Sequence, residues 1–173
     1  MLAALGLAYL STGTAQAKRV PVPRVYVFGL AASFSDSIVY FTNIQTLENA
    51  WIDKKNKFLQ SRDTYSYQLR EYLGNTQQMP RRTCMVFYDL KRQKLEKKLQ
   101  KMKRLYVHPK PERPTFDVRY LKDDDFKFEV IDLSEEIAME EQQEAEYKQM
   151  KKEQKAEKKK KKDKKDKKEK NKK

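Results

Sequence analysis

The chain has 173 residues, of which 39 are lysine or arginine and 25 are aspartate or glutamate, and its formal charge is +14. This length holds one domain with appendages and excludes two ordinary domains. The charge is uneven, because residues 151–173 contain 15 lysines and 5 acids, a net +10, whereas residues 134–150 contain 6 glutamates and one lysine, a net −5. Basic character therefore belongs to particular segments.

Residues 1–17 predict a cleaved secretory signal. The apolar run LAALGLAYL is too short to span a hydrocarbon core, which needs about 20 residues, and Ala15 and Ala17 place small side chains three and one residues before a cut after Ala17. We therefore expect a periplasmic or secreted protein. No positively charged segment precedes the run, so a buried first helix or strand of a cytosolic protein stays open.

The mature chain is predicted to begin with β-strands. After the extended VPVPR, the almost wholly apolar run 24–33 indicates a buried strand, and residues 38–44 indicate a second that pairs with it as a hairpin. The apolar run around Cys84 indicates another buried strand. Because Cys84 is the only cysteine, no intramolecular disulfide forms, and we interpret its thiol as a small buried hydrophobe.

Two amphipathic helices are predicted between the strands. From about Thr46 to Leu73 the apolar spacing changes to a helical one, and Gly74 with Asn75 marks a stop. The second helix follows the Cys84 strand directly. Its apolar stripe is narrow and predicts that the helix lies on the sheet and turns its lysines to water; the stripe consists of Leu95, Leu99, Met102 and Tyr106.

Beyond the proline-rich connector at 108–114, the alternating segments 116–121 and 126–131 predict a terminal hairpin with a turn at KDDD. The expected fold is α+β, a small two-layer sandwich of order ββαβα followed by a ββ hairpin, over residues 18–133. Ser134 then starts a long charged helix, acidic over 134–150, which frays into a disordered lysine-rich tail over 151–173.

No motif for catalysis, a cofactor or a metal is present. The only histidine, His108, precedes a proline in the connector, SFSDS lacks the glycines of a nucleophile elbow, and four glycines in the whole chain leave no phosphate-binding loop. Cys and His residues do not cluster at metal-ligand spacing. We therefore expect a non-enzymatic protein without cofactor or metal.

Two basic blocks invite an anionic partner, although a merely solvated surface would look the same. The partner could be an anionic polymer or membrane surface of the envelope or the exterior, such as lipopolysaccharide, acidic glycan or nucleic acid. The candidate polyanion-binding residues are Lys91, Arg92, Lys94, Lys97, Lys98, Lys101, Lys103 and Arg104 in the second helix and Lys158, Lys159, Lys160, Lys161 and Lys162 in the tail.

Two other functions stay open. The protein could be an envelope scaffold or adaptor that docks to another protein through its α+β domain. If the signal is not cleaved, it could instead be a cytosolic protein that associates with RNA or the ribosome.

The runs at residues 25–73 and 82–106, from VYVFGLAASFSDS to KKLQKMKRLY, resemble short uncharacterised exported proteins of Bacteroidetes-type bacteria. The resemblance concerns the overall pattern of about residues 25–106 and does not include the lysine-rich tail. It implies export and implies no activity.

Overall fold

The computed structural model describes residues 18–112 and 114–170, without the side chains of residues 159–170. The chain divides into two compact units, one that ends at Ile131 and one that begins at Asp132. The predicted signal segment lies outside the described residues. The predicted mixed α+β class is confirmed.

The described part of the first unit contains five strands and two helices. The strands are β1 (Arg19–Ala32), β2 (Ile38–Thr42), β3 (Gln45–Asp53), β4 (Thr83–Asp89) and β5 (Asp117–Leu121); helix α1 (Arg62–Asn75) connects β3 to β4, and helix α2 (Arg92–Val107) connects β4 to β5.

Strand β1 is the centre of the sheet and uses both of its edges. It pairs antiparallel with β3 along residues 19–27, with β2 at Leu30 and Ala31, and with β4 along residues 26–32. Because β4 overlaps the segments that pair with β2 and with β3, those two strands share one edge of β1 and β4 occupies the other. Strand β5 extends the sheet by pairing in parallel with β2. Strand β4 is therefore a border of the sheet, paired with β1 alone among the described residues.

The two helices lie on opposite faces of the sheet. Neighbouring residues of a strand point to opposite faces. Val27 packs in a buried cluster with Leu69 of α1, whereas Phe28 packs in a second cluster with Leu95 of α2. The helices and the sheet thus form three layers, one more than the sequence predicts, because an apolar stripe does not disclose which face of a sheet it covers.

The helix predicted from about Thr46 to Leu73 is wrong in its first part. Residues 45–53 form strand β3 beside β1, and α1 begins only at Arg62. Within β3, Asn49 has a φ of 56°, and the alternation of buried and exposed side chains is interrupted there. A strand without clean alternation lacks the pattern by which a strand is recognised.

The predicted terminal hairpin is wrong in its pairing, since β5 pairs with β2 and residues 126–131 form no strand in the described structure. The side-chain amide of Gln45 takes the place of a neighbouring strand: its Nε2 donates to the carbonyl oxygen of Phe126 at 2.6 Å, and its Oε1 accepts from the N–H of Phe128 at 2.8 Å. Both phenylalanines are buried, as their alternation predicts. The pattern identified the buried side chains but not their backbone partners.

The second unit contains helix α3 (Ser134–Lys170), which begins at the predicted residue. Its first turn carries Glu135 and Glu136. Lys148 Nζ lies 2.7 Å from Glu144 Oε1, an i,i+4 ion pair of the predicted kind. None of the helices in the described ranges has the length and apolar composition needed to cross a membrane.

Candidate anion-binding surface

Helix α2 turns basic residues to solvent because its other side is fixed to the sheet. Leu95 and Leu99 are buried, and Met102 and Tyr106 are partly buried in the same cluster. These positions recur every three or four residues, so they form one side of the helix. The eight basic residues of the segment 91–104 therefore occupy the sides of the helix that do not face the sheet.

Three of these eight residues, Arg92 and two lysines, lie over aromatic rings of the sheet. Lys98 Nζ lies 4.8 Å from the centre of the Phe87 ring, and Lys103 Nζ lies 4.2 Å from the centre of the Tyr120 ring. Lys103 is also half-buried, and burial lowers the pKa of its ammonium group. Burial makes Lys103 less available to an external ligand, whereas Lys98 stays exposed beside β4.

Four further residues form an exposed row along α2. Glu96 is the one acid of α2, and its Oε1 accepts a hydrogen bond from Arg92 Nε at 2.9 Å. The negative charge of Glu96 is therefore paired with Arg92 and does not neutralise the four residues of the row. Positions 94, 97, 101 and 104 are three or four residues apart and are therefore neighbours on a helix. No ion pair involves them within the described ranges. We call this row the α2 basic stripe; it consists of Lys94, Lys97, Lys101 and Arg104.

For several of the other predicted site residues the structure describes only the backbone, or does not describe the residue. Lys91 is exposed immediately before α2, and Lys158 is exposed on α3. The backbones of Lys159, Lys160, Lys161 and Lys162 belong to α3, but their side chains lie outside the described part. Ala15 and Ala17, the predicted cleavage residues, also lie outside it.

A groove along the free edge of β4 contains basic residues that the sequence patterns missed. It has a volume of about 1410 Å³ and is walled by α1 on one face of the sheet and by α2 on the other. We call it the β4 groove. Asp63 and Asp89 oppose its seven basic residues, which are Lys57, Arg62, Arg70, Arg82, Lys91, Lys94 and Lys98. The arginines of α1 are scattered in a helix of mixed charge, so no basic run marks them, and only the fold brings them near the α2 segment.

Arg82 is the buried basic residue of the groove, with a side chain that is 1% exposed. Its Nη2 lies 2.9 Å from Asp36 Oδ2, and its Nη1 donates to the carbonyl oxygen of Ile38 at 2.7 Å. The backbone N–H of Ile38 and the Arg82 guanidinium together hold the pKa of the Asp36 carboxyl below its usual value. These contacts tie the start of β4 to the turn between β1 and β2, which is a structural task. Nε of Arg82 is buried without an acceptor among the described residues.

The other reactive groups of the described part of the chain show no catalytic arrangement. The buried strand predicted around Cys84 is wrong, because β4 borders the sheet and Val86 is its one buried residue; Cys84 itself is half-buried. Its partial burial raises the pKa of the thiol to about 11, so the thiol is protonated at neutral pH. His108 is exposed at the end of α2. Among the described residues, no three His, Cys, Asp or Glu side chains are grouped to hold a metal ion. The absence of enzymatic activity and of a cofactor stays a prediction.

Comparison of the chain with protein-family models, with curated proteins and with solved structures finds no match. The resemblance to exported proteins of Bacteroidetes-type bacteria therefore stays a prediction.

Proposed function

We propose that this protein is a non-enzymatic, exported binding protein that contacts anionic polymers through the α2 basic stripe and its lysine-rich tail. The observation that supports this best is the stripe, four exposed cations on one side of a helix whose single acid is engaged with Arg92. Its ligands are anionic surfaces or polymers of the envelope or the exterior, such as lipopolysaccharide, acidic glycan or nucleic acid.

The chemistry of the stripe fits a ligand of high charge density. Lysine is a compact point charge on a flexible stem, which suits repeated negative groups better than one group of fixed shape. Exposed charges interact over about 10 Å at 0.1 M salt and less at higher salt. Binding should therefore be broad in specificity and should weaken steeply as salt is added.

The test is charge reversal in matched positions. We would replace Lys97, Lys101 and Arg104 by glutamate in one variant and three exposed cations elsewhere on the domain in another; the control positions are Arg24, Lys122 and Lys127. Both variants change the net charge equally. Binding to lipopolysaccharide and to phosphatidylglycerol vesicles is then measured at about 50 and 200 mM salt, with phosphatidylcholine vesicles as the neutral surface.

We expect the stripe variant to lose binding and the control to keep most of it. Deletion of residues 151–173 measures the separate contribution of the tail. Equal losses of binding in the stripe and control variants would mean that binding depends on net charge alone and not on the stripe. A stripe variant that binds as tightly as the unmodified chain would contradict the proposal.

A second candidate is an adaptor that docks to another protein through the α+β domain. It is favoured by the border strand β4, which pairs only with β1 in the part of the chain described. A third, association with RNA or the ribosome in the cytosol, applies if the signal is not cleaved. The intact mass of the protein from its own cells separates these locations, because an exported form begins at Lys18 and a cytosolic form keeps Met1.

A further inference from the structure

The direction of the backbone groups in β1 can be read from one hydrogen bond. The N–H of Gly29 donates to Thr42 Oγ1 at 2.8 Å, so Gly29 turns its backbone toward β2. Successive residues of a strand point their N–H and C=O groups to opposite edges. Phe28 and Leu30 therefore turn theirs toward β4.

The same alternation identifies the backbone groups of β4 that have no strand partner among the described residues. Phe87 and Met85 are the register partners of Phe28 and Leu30, so their N–H and C=O groups face β1. The N–H and C=O groups of the intervening residues therefore point away from the sheet. These residues are Cys84, Val86 and Tyr88. They form a short template for one more strand at the bottom of the β4 groove.

We infer that the β4 groove binds an extended, acidic peptide segment of a partner protein, which adds to the sheet along β4. This inference rests on the second candidate function and names its surface and the chemistry of its partner. Backbone hydrogen bonds to the unpaired groups of β4 hold such a segment, and the walls of the groove select its side chains.

The charges of the groove specify an acidic occupant. Side chains of an added strand would alternate between the two faces of the sheet. On one face they meet the α1 wall with Arg62 and Arg70, and on the other the α2 wall with Lys94 and Lys98. A carboxylate on either face therefore finds a cation.

The size and charge of the groove argue against other occupants. Its volume exceeds the roughly 300–1,000 Å³ typical of small-molecule sites. A second copy paired through β4 would bring two grooves of seven basic residues and two acids each together, and like charges at an interface oppose association.

The first experiment separates strand addition from charge attraction. Its probe is a fluorescein-labelled peptide of alternating glutamate and valine, about as long as β4, and the comparison is a second peptide of the same sequence with every backbone nitrogen methylated. Both carry the same charge, but the methylated peptide cannot donate hydrogen bonds to β4. We expect the methylated peptide to bind the full chain about tenfold more weakly, or worse, by fluorescence anisotropy.

The second experiment acts on the protein. Val86→Pro removes an N–H that points away from β1, a position where an edge strand tolerates proline, and Val86→Ala is the matched control that loses side-chain volume and keeps the N–H. We expect Val86→Pro to bind the unmethylated peptide at least several-fold more weakly than Val86→Ala does. If Val86→Pro does not fold, the peptide pair still decides the question on the unmodified chain.

The outcomes distinguish this inference from the polyanion proposal. Charge reversal at Lys97, Lys101 and Arg104 should abolish vesicle binding and leave peptide binding, whereas Val86→Pro should do the opposite. Equal affinity for the two peptides would overturn the inference. Self-association that Val86→Pro abolishes would also overturn it, because it would show that the chain dimerises through β4. Peptide binding that occurs only after residues 1–17 are removed would overturn it too, because the occupant would then be the N-terminus of the chain itself.

Discussion

Replacement of Gly29 by alanine should destabilise the first unit because the space for a methyl group is already occupied. A Cβ atom there would lie 2.6 Å from Leu69 Cδ2 and 3.2 Å from both Phe128 Cζ and Thr42 Cγ2. Leu69 is fully buried, so it cannot move aside into solvent. Overpacking of this kind costs about 1–3 kcal/mol, and the lower entropy of the unfolded alanine chain returns about 0.4–1 kcal/mol. We expect a net loss of about 0.5–2 kcal/mol in the free energy of unfolding.

Gly74 provides the matched control. It lies in the last turn of α1, and among the described residues no atom outside the adjacent helix backbone would come within 4 Å of an added Cβ. Alanine is favoured over glycine in a helix by about 0.5–1 kcal/mol, so Gly74→Ala should stabilise the unit. The same chemical change is thus expected to have opposite signs at the two glycines.

The assay is urea denaturation followed by the fluorescence of Trp51, the one tryptophan of the chain, which lies in β3 and so reports on the first unit. A change in midpoint at constant slope reports stability. Repeating Gly29→Ala in a Leu69→Ala background removes the atom that clashes, and there the added methyl should cost little or even stabilise. The reasoning is refuted if Gly29→Ala is neutral in the unmodified background or equally harmful in both.

Three further predictions use the same titration or a simple reaction. The pKa of Asp36 lies below its usual 3.8 in the folded state, so the stabilising effect of its charge is complete above that value and is lost as the pH falls through the lower folded pKa. Asp36→Asn should therefore reduce the urea midpoint at neutral pH and flatten the decline of the midpoint below about pH 4, and equal acid slopes would contradict this. Cys84, whose pKa is raised from 9.0 to about 11, should react with iodoacetamide at pH 8 about 100-fold more slowly in the folded protein than in urea, and equal rates would show an accessible thiolate. Leu95→Ala should cost about 2–5 kcal/mol because the side chain is fully buried between α2 and the sheet, and a loss below 1 kcal/mol would mean that α2 is not anchored there.

Features carried by local periodicity could be predicted. Leu95 and Leu99 lie on the buried side of α2, and Phe126 and Phe128 are buried, because a spacing of three to four or of two residues is written directly in the sequence. Strand β3 could not be predicted in this way. Its residues are held by pairing with β1, which is distant along the chain, and the φ of 56° at Asn49 falls where the alternation breaks.

The two candidate sites also differ in whether their residues are close along the chain. The α2 basic stripe was predictable, because one helix supplies all of its cations and its own apolar stripe decides which way they face. The β4 groove was not, because Arg62 and Arg70 of α1 and Lys94 and Lys98 of α2 come together only when the helices cover opposite faces of the sheet and β4 is left at its border.

The sequence by itself determined the mixed α+β class, the amphipathic character of α2 and the separation of acidic and basic segments, since each depends on residues that are close along the chain. Tertiary structure alone decided the strand order, the parallel pairing of β5 with β2 and the exposed edge of β4. The physical reason is that backbone hydrogen bonds between strands join groups that are chemically the same in every residue, so only the packing of the whole domain selects which of them meet and which remain free.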